Sequence, residues 1–178
     1  MKSRVTVVSL AIGVLVALAG CGGESNDTLT IFLKRSQAGQ KVPVLAPATR
    51  TPEDEAATLD AVLSDLLAGP TEAEKRDGFL PSLPSAARII DVQTTSSNAV
   101  VSLSGLPPDD LYAAAATVYS LTELPGIETV SLRLDGEPCC VYDQQSDVID
   151  PLRRNIFRGW PGEPCELRAY TDAVACRE

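Results

Sequence analysis

"RIIDVQTTSSNAVVSLS", residues 88–104, decides the fold. Two β-prone runs, "RIIDVQ" (88–93) and "NAVVSLS" (98–104), flank a Thr-Ser-Ser turn region. The second run alternates with a period of two and puts Ala99, Val101 and Leu103 on one face, as a half-buried strand does. A short polar spacer between two such runs makes them a hairpin. Downstream, a helix starts after Pro107 and Pro108 with Asp109 and Asp110 in its first turn, where the helix dipole favours acids. Leu111, Ala114, Ala115, Val118 and Leu121 mark its buried side, and the alanine-rich centre suits close packing on a sheet. "ETVSLRLDG" (128–136) then points Val130, Leu132 and Leu134 inward and Thr129, Ser131 and Arg133 outward.

Upstream, "TLTIFLKR" (28–35) alternates Leu29, Ile31 and Leu33 and reads as a strand. "KVPVLAPATR" (41–50) keeps Val42 and Val44 in phase, but Pro43 and Pro47 cannot donate to a ladder, so it is an edge strand or extended segment. The first helix is expected to begin at Thr51, with Pro52 at the first helical position and Glu53, Asp54 and Glu55 at the positive dipole end. Leu59, Val62, Leu63, Leu66 and Leu67 form one apolar face, and Gly69 and Pro70 end it. "TEAE" (71–74) has the spacing of a capping box. The order is β-(β)-α-β-β-α-β, an α+β fold with a small mixed sheet and two helices packed on one face.

"LLAGPTEAE", "PSLPSAARIIDV", "AVVSLSG" and "TVYSLTELPGIETVSLRLDG" follow one another as in the sporulation and spore-germination (GerMN) domain, which residues 28–136 resemble. In that family a helix ends in Leu-x-x-Gly-Pro with a Glu shortly after, and a second helix leads through Leu-Pro-Gly to a final strand ending in Asp-Gly. The resemblance implies a domain of bacterial envelope lipoproteins, similar to ring-building modules that pack edge to edge, with no active site to transfer. The loop around Gln37 to Gln40 leaves its contact surface unassigned.

The N-terminus sets the compartment. "MKSR" is cationic, Val5 to Leu18 is a mostly apolar run, and small residues follow, which is the order of a secretory signal over residues 1–20. The run is shorter than the roughly 20 residues a spanning helix needs. "LAGC" (18–21) looks like a bacterial lipobox, making Cys21 the lipid attachment point, with acyl chains such as palmitate anchoring it. An ordinary signal with an incidental cysteine is the rival reading. Residues 22–27, "GGESND", form a polar tether, and Gly22 offers no Gram-negative inner-membrane retention signal. Low Lys with high Arg and Ala suggests a GC-rich bacterium. The expected location is extracytoplasmic, lipid-anchored to the outer face of the cell membrane.

Four cysteines remain, Cys139, Cys140, Cys165 and Cys176, all in the 137–178 extension. An even number outside the membrane implies disulfides. Bonding the adjacent Cys139 and Cys140 is the least expected of the three connectivities. Pairing them with Cys165 and Cys176 in either order closes loops of about 25 to 37 residues, worth on the order of 3–4 kcal/mol. Zinc is disfavoured because the paired C-x₂₋₄-C spacing and histidines are absent. C-x-x-C, the usual redox motif, is absent too.

The chain has 178 residues, 44% hydrophobic and 22% charged, which fits one folded domain plus a tail. Its formal charge of −9 becomes −11 once Lys2 and Arg4 leave with the signal, which argues against nucleic acid as a partner. With no histidine, His-based triads and the usual metal ligands are excluded. No cofactor or metal is expected. Asp109 and Asp110 read as helix caps rather than an acid–base pair. Asp143, Asp147 and Asp150 lack the EF-hand glycine and read as a solvated loop. Ser102, Ser104 and Ser120 have neither a base nor a Gly-x-Ser-x-Gly context. "PLRRNIFRGWP" (151–161) is the one cationic and aromatic cluster. Arg153, Arg154, Phe157, Arg158 and Trp160 are a possible partner-binding set for a protein or anionic wall polymer. The competing reading has Ile156, Phe157 and Trp160 plug the tail onto the domain. The functional expectation is a non-catalytic interaction or assembly module, with the edge near Pro43 and Pro47 as a docking edge. The alternative is a wall-associated enzyme or modulator using carboxylates, since paired acids need only meet in space.

Overall fold

The described residues of the computed structural model, 28–52 and 57–160, run β1 (Leu29–Arg35), β2 (Val44–Arg50), α1 (Leu59–Ala68), α2 (Glu72–Arg76), β3 (Phe79–Leu80), β4 (Arg88–Thr95), β5 (Asn98–Ser104), α3 (Leu111–Leu121), β6 (Thr129–Leu134), β7 (Glu137–Pro138) and a 3₁₀ turn, Arg154–Phe157. The α+β class holds, but the strands divide between two sheets instead of forming one. The first has the order β2-β1-β3 and is antiparallel throughout. The second has the order β4-β5-β6-β7, with β5 and β6 parallel across the α3 crossover. α1 touches β1 and β4, and α3 touches β1 and β6, so the two helices join the sheets.

Local signals act as the residues dictate. Asp110 caps α3 by accepting from the Ala113 N–H at 3.0 Å, while Asp109 stands before the helix. Thr71 and Glu74 form the reciprocal capping box. Gly69 ends α1 at φ +71°. The start of α1 differs from expectation. Thr51 and Pro52 are not helical, and Thr58, whose hydroxyl accepts from the Ala61 N–H at 3.2 Å, is the cap. Glu53, Asp54 and Glu55 lie outside the described residues, as do Cys21, Cys165 and Cys176.

The division into two sheets has a specific cause. β3 pairs with β1 only at Lys34 and Arg35, so the rest of that β1 edge meets side chains where another strand would lie. The Phe32 N–H donates to Ser120 Oγ at 2.8 Å, and Ser120 Oγ donates to the Ala116 carbonyl at 2.6 Å. Ser82 stands where the β1–β3 register would place a partner for Phe32. Its hydroxyl accepts from the Lys34 N–H at 2.8 Å and donates to the Phe32 carbonyl at 3.3 Å. Both serines are fully buried. Ala113 to Ala116 are buried as well, and their small side chains let α3 come close enough for Ser120 to reach the strand.

The second sheet is closed along β6 by the extension. Beyond the two-residue β7, the Cys139 N–H bonds the Leu132 carbonyl at 3.1 Å, and Val130 and Leu152 exchange hydrogen bonds of 3.0 and 2.7 Å. Thr129 and Ser131, expected to face solvent, are buried beneath Asn98, which accepts from Thr129 Oγ1 and donates to Ser131 Oγ. At the far end of β5, Gly105 sits at φ +72° with room for no side chain, since a Cβ there would lie 2.2 Å from the Ala86 carbonyl oxygen.

Removing either hydroxyl should strand a buried backbone group. Ser82→Ala and Ser120→Ala are each expected to lower unfolding stability by about 1–3 kcal/mol. Denaturant titrations would check this, with Ser104→Ala on the half-buried outer side of β5 as a near-neutral control.

Candidate interaction surfaces

Three members of the cationic and aromatic cluster of the extension, Arg154, Phe157 and Trp160, pack inward. Phe157 is 1% exposed, its ring centroid 6.0 Å from Tyr119, which lies 5.3 Å from Phe32. Trp160 meets Tyr112 edge-on at 4.6 Å. Arg154 donates to Thr122 Oγ1 at 2.6 Å and the Tyr119 carbonyl at 2.8 Å, pairs with Glu123, and lies over the Phe32 and Tyr119 rings. Of the five residues expected to face a partner, Arg154, Phe157 and Trp160 therefore pack the extension onto α3 and β1. Arg153 and Arg158 are exposed. Tyr112 also donates to the Pro43 carbonyl at 2.6 Å, and burial holds its hydroxyl above the usual phenol range.

Cys139 and Cys140 form the bond least expected from the sequence, while Cys165 and Cys176 lie outside the described residues. Both bonded cysteines are buried. The Cys139 N–H is fixed to β6, and Cys140 turns the chain at φ +84°, so the two thiols meet where the extension leaves β7.

Among the described residues, no group of three or more His, Cys, Asp or Glu side chains could hold a metal ion. Asp143 instead closes its own loop, accepting from the Gln145 and Asp147 N–H groups at 2.9 Å, while Asp147 and Asp150 point to solvent. Ser102 and Ser104 are half-buried in β5, and Ser120 is the structural hydroxyl described above.

A cleft of about 710 Å³ lies along α1, lined in part by Arg50, Asp60, Ser64, Asp65 and Thr71. Its guanidinium is already engaged. Arg50 makes a forked contact with Glu74, Nε to Oε1 at 3.2 Å and Nη2 to Oε2 at 2.7 Å, and donates to the Gly69 carbonyl at 2.8 Å. Asp65 stands 3.4 Å from it. Asp60 and Asp65 are five positions apart, about 140° around the helix, so they do not face one another as an acid–base pair would. Burial alone would raise the Glu74 pKa, but the Arg50 hydrogen bond and charge, with the Thr71 N–H, outweigh it and hold the carboxyl below its ordinary range. Burial likewise opposes the charge on Arg50, and its partners raise it. Glu74 thus serves two masters, the α2 cap and the end of β2. The sequence showed only the first, because Arg50 lies 24 residues away.

The strand edges differ in what they offer. Phe32 and Lys34 turn their backbone toward the buried serines, so their β2 partners Pro47 and Leu45 turn theirs outward. Pro47 therefore removes a donor from the middle of the open β2 edge, and the Pro43 carbonyl is taken by Tyr112. This edge, expected to dock a strand, is interrupted. β4 is different. Leu103 and Ser97 direct their carbonyls toward the β6 side, so Asn98, Val100 and Ser102 face β4. Their partners Thr95, Gln93 and Asp91 face back, which leaves the Val92 and Thr94 backbone groups pointing out of the sheet. Among the described residues nothing pairs with them.

The family described as Germane, sporulation and spore germination, matches residues 30–140. The tandem GerMN domains of the sporulation protein GerM from Bacillus subtilis are similar at 15% identity and a TM-score of 0.55, over 71% of this chain and 44% of that one. The first GerMN domain of the same protein is similar at 18% identity and a TM-score of 0.55, over 72% of this chain and 98% of that one. The chain thus spans less than half of the tandem protein and nearly all of the single domain. At these identities the likeness is one of fold. No curated protein matches the chain.

Two outcomes are expected. Glu74 gives up its proton more readily folded than unfolded, so its contribution is complete above the ordinary carboxyl range near pH 4.3 and is lost as pH falls through its lower folded value. Glu74→Gln should cost about 1–3 kcal/mol at pH 7 and flatten the acid limb of stability below pH 4.3, measured by denaturant titration across pH. Phe157→Ala should cost about 3–5 kcal/mol in the same assay, against little for Arg158→Ala.

Proposed function

The chain belongs to the Germane family, and from that premise we propose that it is an extracytoplasmic lipoprotein, anchored through Cys21, whose domain serves interaction or assembly at the cell envelope and not catalysis. The observation that supports the non-catalytic part is the use made of the buried and half-buried polar side chains of the domain and its extension. Arg50, Glu74, Arg154, Ser82 and Ser120 are all engaged in holding elements together. The anchor rests on "LAGC" at residues 18–21 after a charged and apolar leader. Its partners on this reading are the membrane, through the lipid, and a protein or wall polymer. Among the described residues of the extension, Arg153 and Arg158 are the exposed cations available to meet an acidic one. GerM is a sporulation protein, and the part shared with it is the domain fold.

Mass spectrometry of the mature protein should find Cys21 as an acylated first residue, and Cys21→Ser should move the chain from the membrane to the soluble fraction. An unacylated, freely soluble wild-type chain would overturn the anchor.

A further inference from the structure

We propose that the outer edge of β4 pairs with the same edge of a second copy of this chain, antiparallel about a two-fold axis through Gln93. The inference rests on the reading of the domain as an assembly module and names the surface used.

The first support is the condition of the other edges. β2 is interrupted at Pro47, β1 is sealed by Ser82 and Ser120, and β6 is covered by Cys139 and Leu152. β3 and β7 are two residues long. β4 runs for eight residues without proline. Its one irregularity is a bulge between Ile89 and Asp91. That bulge leaves Ile90 64% exposed and confines the regular part to residues 91–95.

Within that window the edge is complementary to itself. Val92 and Thr94 present their N–H and C=O groups outward, two residues apart. Antiparallel pairing of Val92 with Thr94 of the copy, and of Thr94 with Val92, forms four backbone hydrogen bonds. Gln93 then faces its own copy across a non-hydrogen-bonded pair, where side chains approach most closely. Asp91 lies opposite Thr95 of the copy, about 13 Å along the strand from the other Asp91, which exceeds a Debye length of about 8–10 Å. For a chain of formal charge −9, this places the uncharged residues 92–95 at the centre of the contact and Asp91 at its ends.

The choice of a second copy over a foreign strand follows from what flanks the edge. Selection of a foreign strand needs pockets for its alternate side chains. The cleft along α1 and a smaller cavity beside the start of β1 are lined by α1, β1, β2 and neighbouring loops, with no β4 residue. Two-fold symmetry supplies the selection instead, and it closes the assembly as a pair.

Sedimentation equilibrium of the full chain in detergent tests this. The wild type should show a concentration-dependent monomer–dimer equilibrium. Gln93→Lys and Gln93→Glu each set like charges face to face on the axis and should weaken dimerisation at least tenfold, with unchanged thermal melting. A one-to-one mixture of the two should restore it. Thr94→Pro, which removes an outward N–H and leaves the β5 ladder intact, should also give monomer. A monomeric wild type, Gln93 variants that dimerise like wild type, or a mixture no stronger than its components would overturn the inference. If Cys21 is acylated while any of these holds, the anchor stands and the β4 pairing alone fails.

Discussion

A buried strand edge must have its backbone groups satisfied, and β1 carries such an edge over half its length. Three groups, the Phe32 N–H and C=O and the Lys34 N–H, would each cost about 1–3 kcal/mol if left unpaired. Two hydroxyls answer all three. A serine works here because it accepts and donates at once. Ser120 takes the strand's N–H while returning its own proton to the Ala116 carbonyl. That arrangement dictates how near α3 must lie to β1, which explains a helix buried along nearly its whole circumference with alanine at four consecutive positions. The two-sheet architecture is the consequence, because a strand edge sealed by side chains cannot continue into a wider sheet.

A second constraint fixes the opposite end of β1 and β2. The run Leu-Leu-Ala-Gly-Pro-Thr-Glu-Ala-Glu, residues 66–74, reads locally as a helix end followed by a helix start. In three dimensions it also builds a receptor for Arg50. Gly69 takes the left-handed conformation and turns its carbonyl to the guanidinium, and Glu74 supplies the fork. One carboxylate caps α2 and neutralises the half-buried cation, so loss of its charge loosens two junctions together. The acid sensitivity of this corner follows from the sign of the Glu74 shift alone.

The legible parts of the chain were those governed by neighbours in sequence. β5 spans Asn98–Ser104 with Ala99, Val101 and Leu103 buried, because strict alternation needs no knowledge of the partner strand. Asp110, Thr71 and Gly69 also act at a distance of a few residues. What stayed illegible depends on long separations. Ser82 and Ser120 meet Phe32 across 50 and 88 residues, and no local rule distinguishes them from exposed serines. Thr51 and Thr58 are both acceptable caps, and only packing of the apolar face chooses between them. The basic cluster of the extension was visible as a composition, but its direction was not. Arg154 turns inward because Thr122, Glu123 and the Tyr119 carbonyl together offer acceptors at the end of α3. Adjacency in sequence makes a Cys139–Cys140 bond the least expected, and the positive φ of Cys140 where the chain leaves β7 is not legible from the residues.

Edge protection here takes three chemically distinct forms: proline on β2, buried hydroxyls on β1, and a docked segment along β6. Each removes or satisfies backbone groups that would otherwise recruit another chain. β4 receives only a bulge, and at one end. Side chains add little selectivity along this edge, since its outward groups belong to Val92 and Thr94 and Asp91 is the one charge in the regular segment. Selectivity must then come from geometry and concentration. A lipid anchor at Cys21, on the proposed reading, confines copies to a plane on a short tether and raises their effective concentration without any added contact. A four-bond pairing whose extent depends on concentration in free solution becomes more fully populated under that confinement. On this view the anchor and the bare edge are two halves of one device.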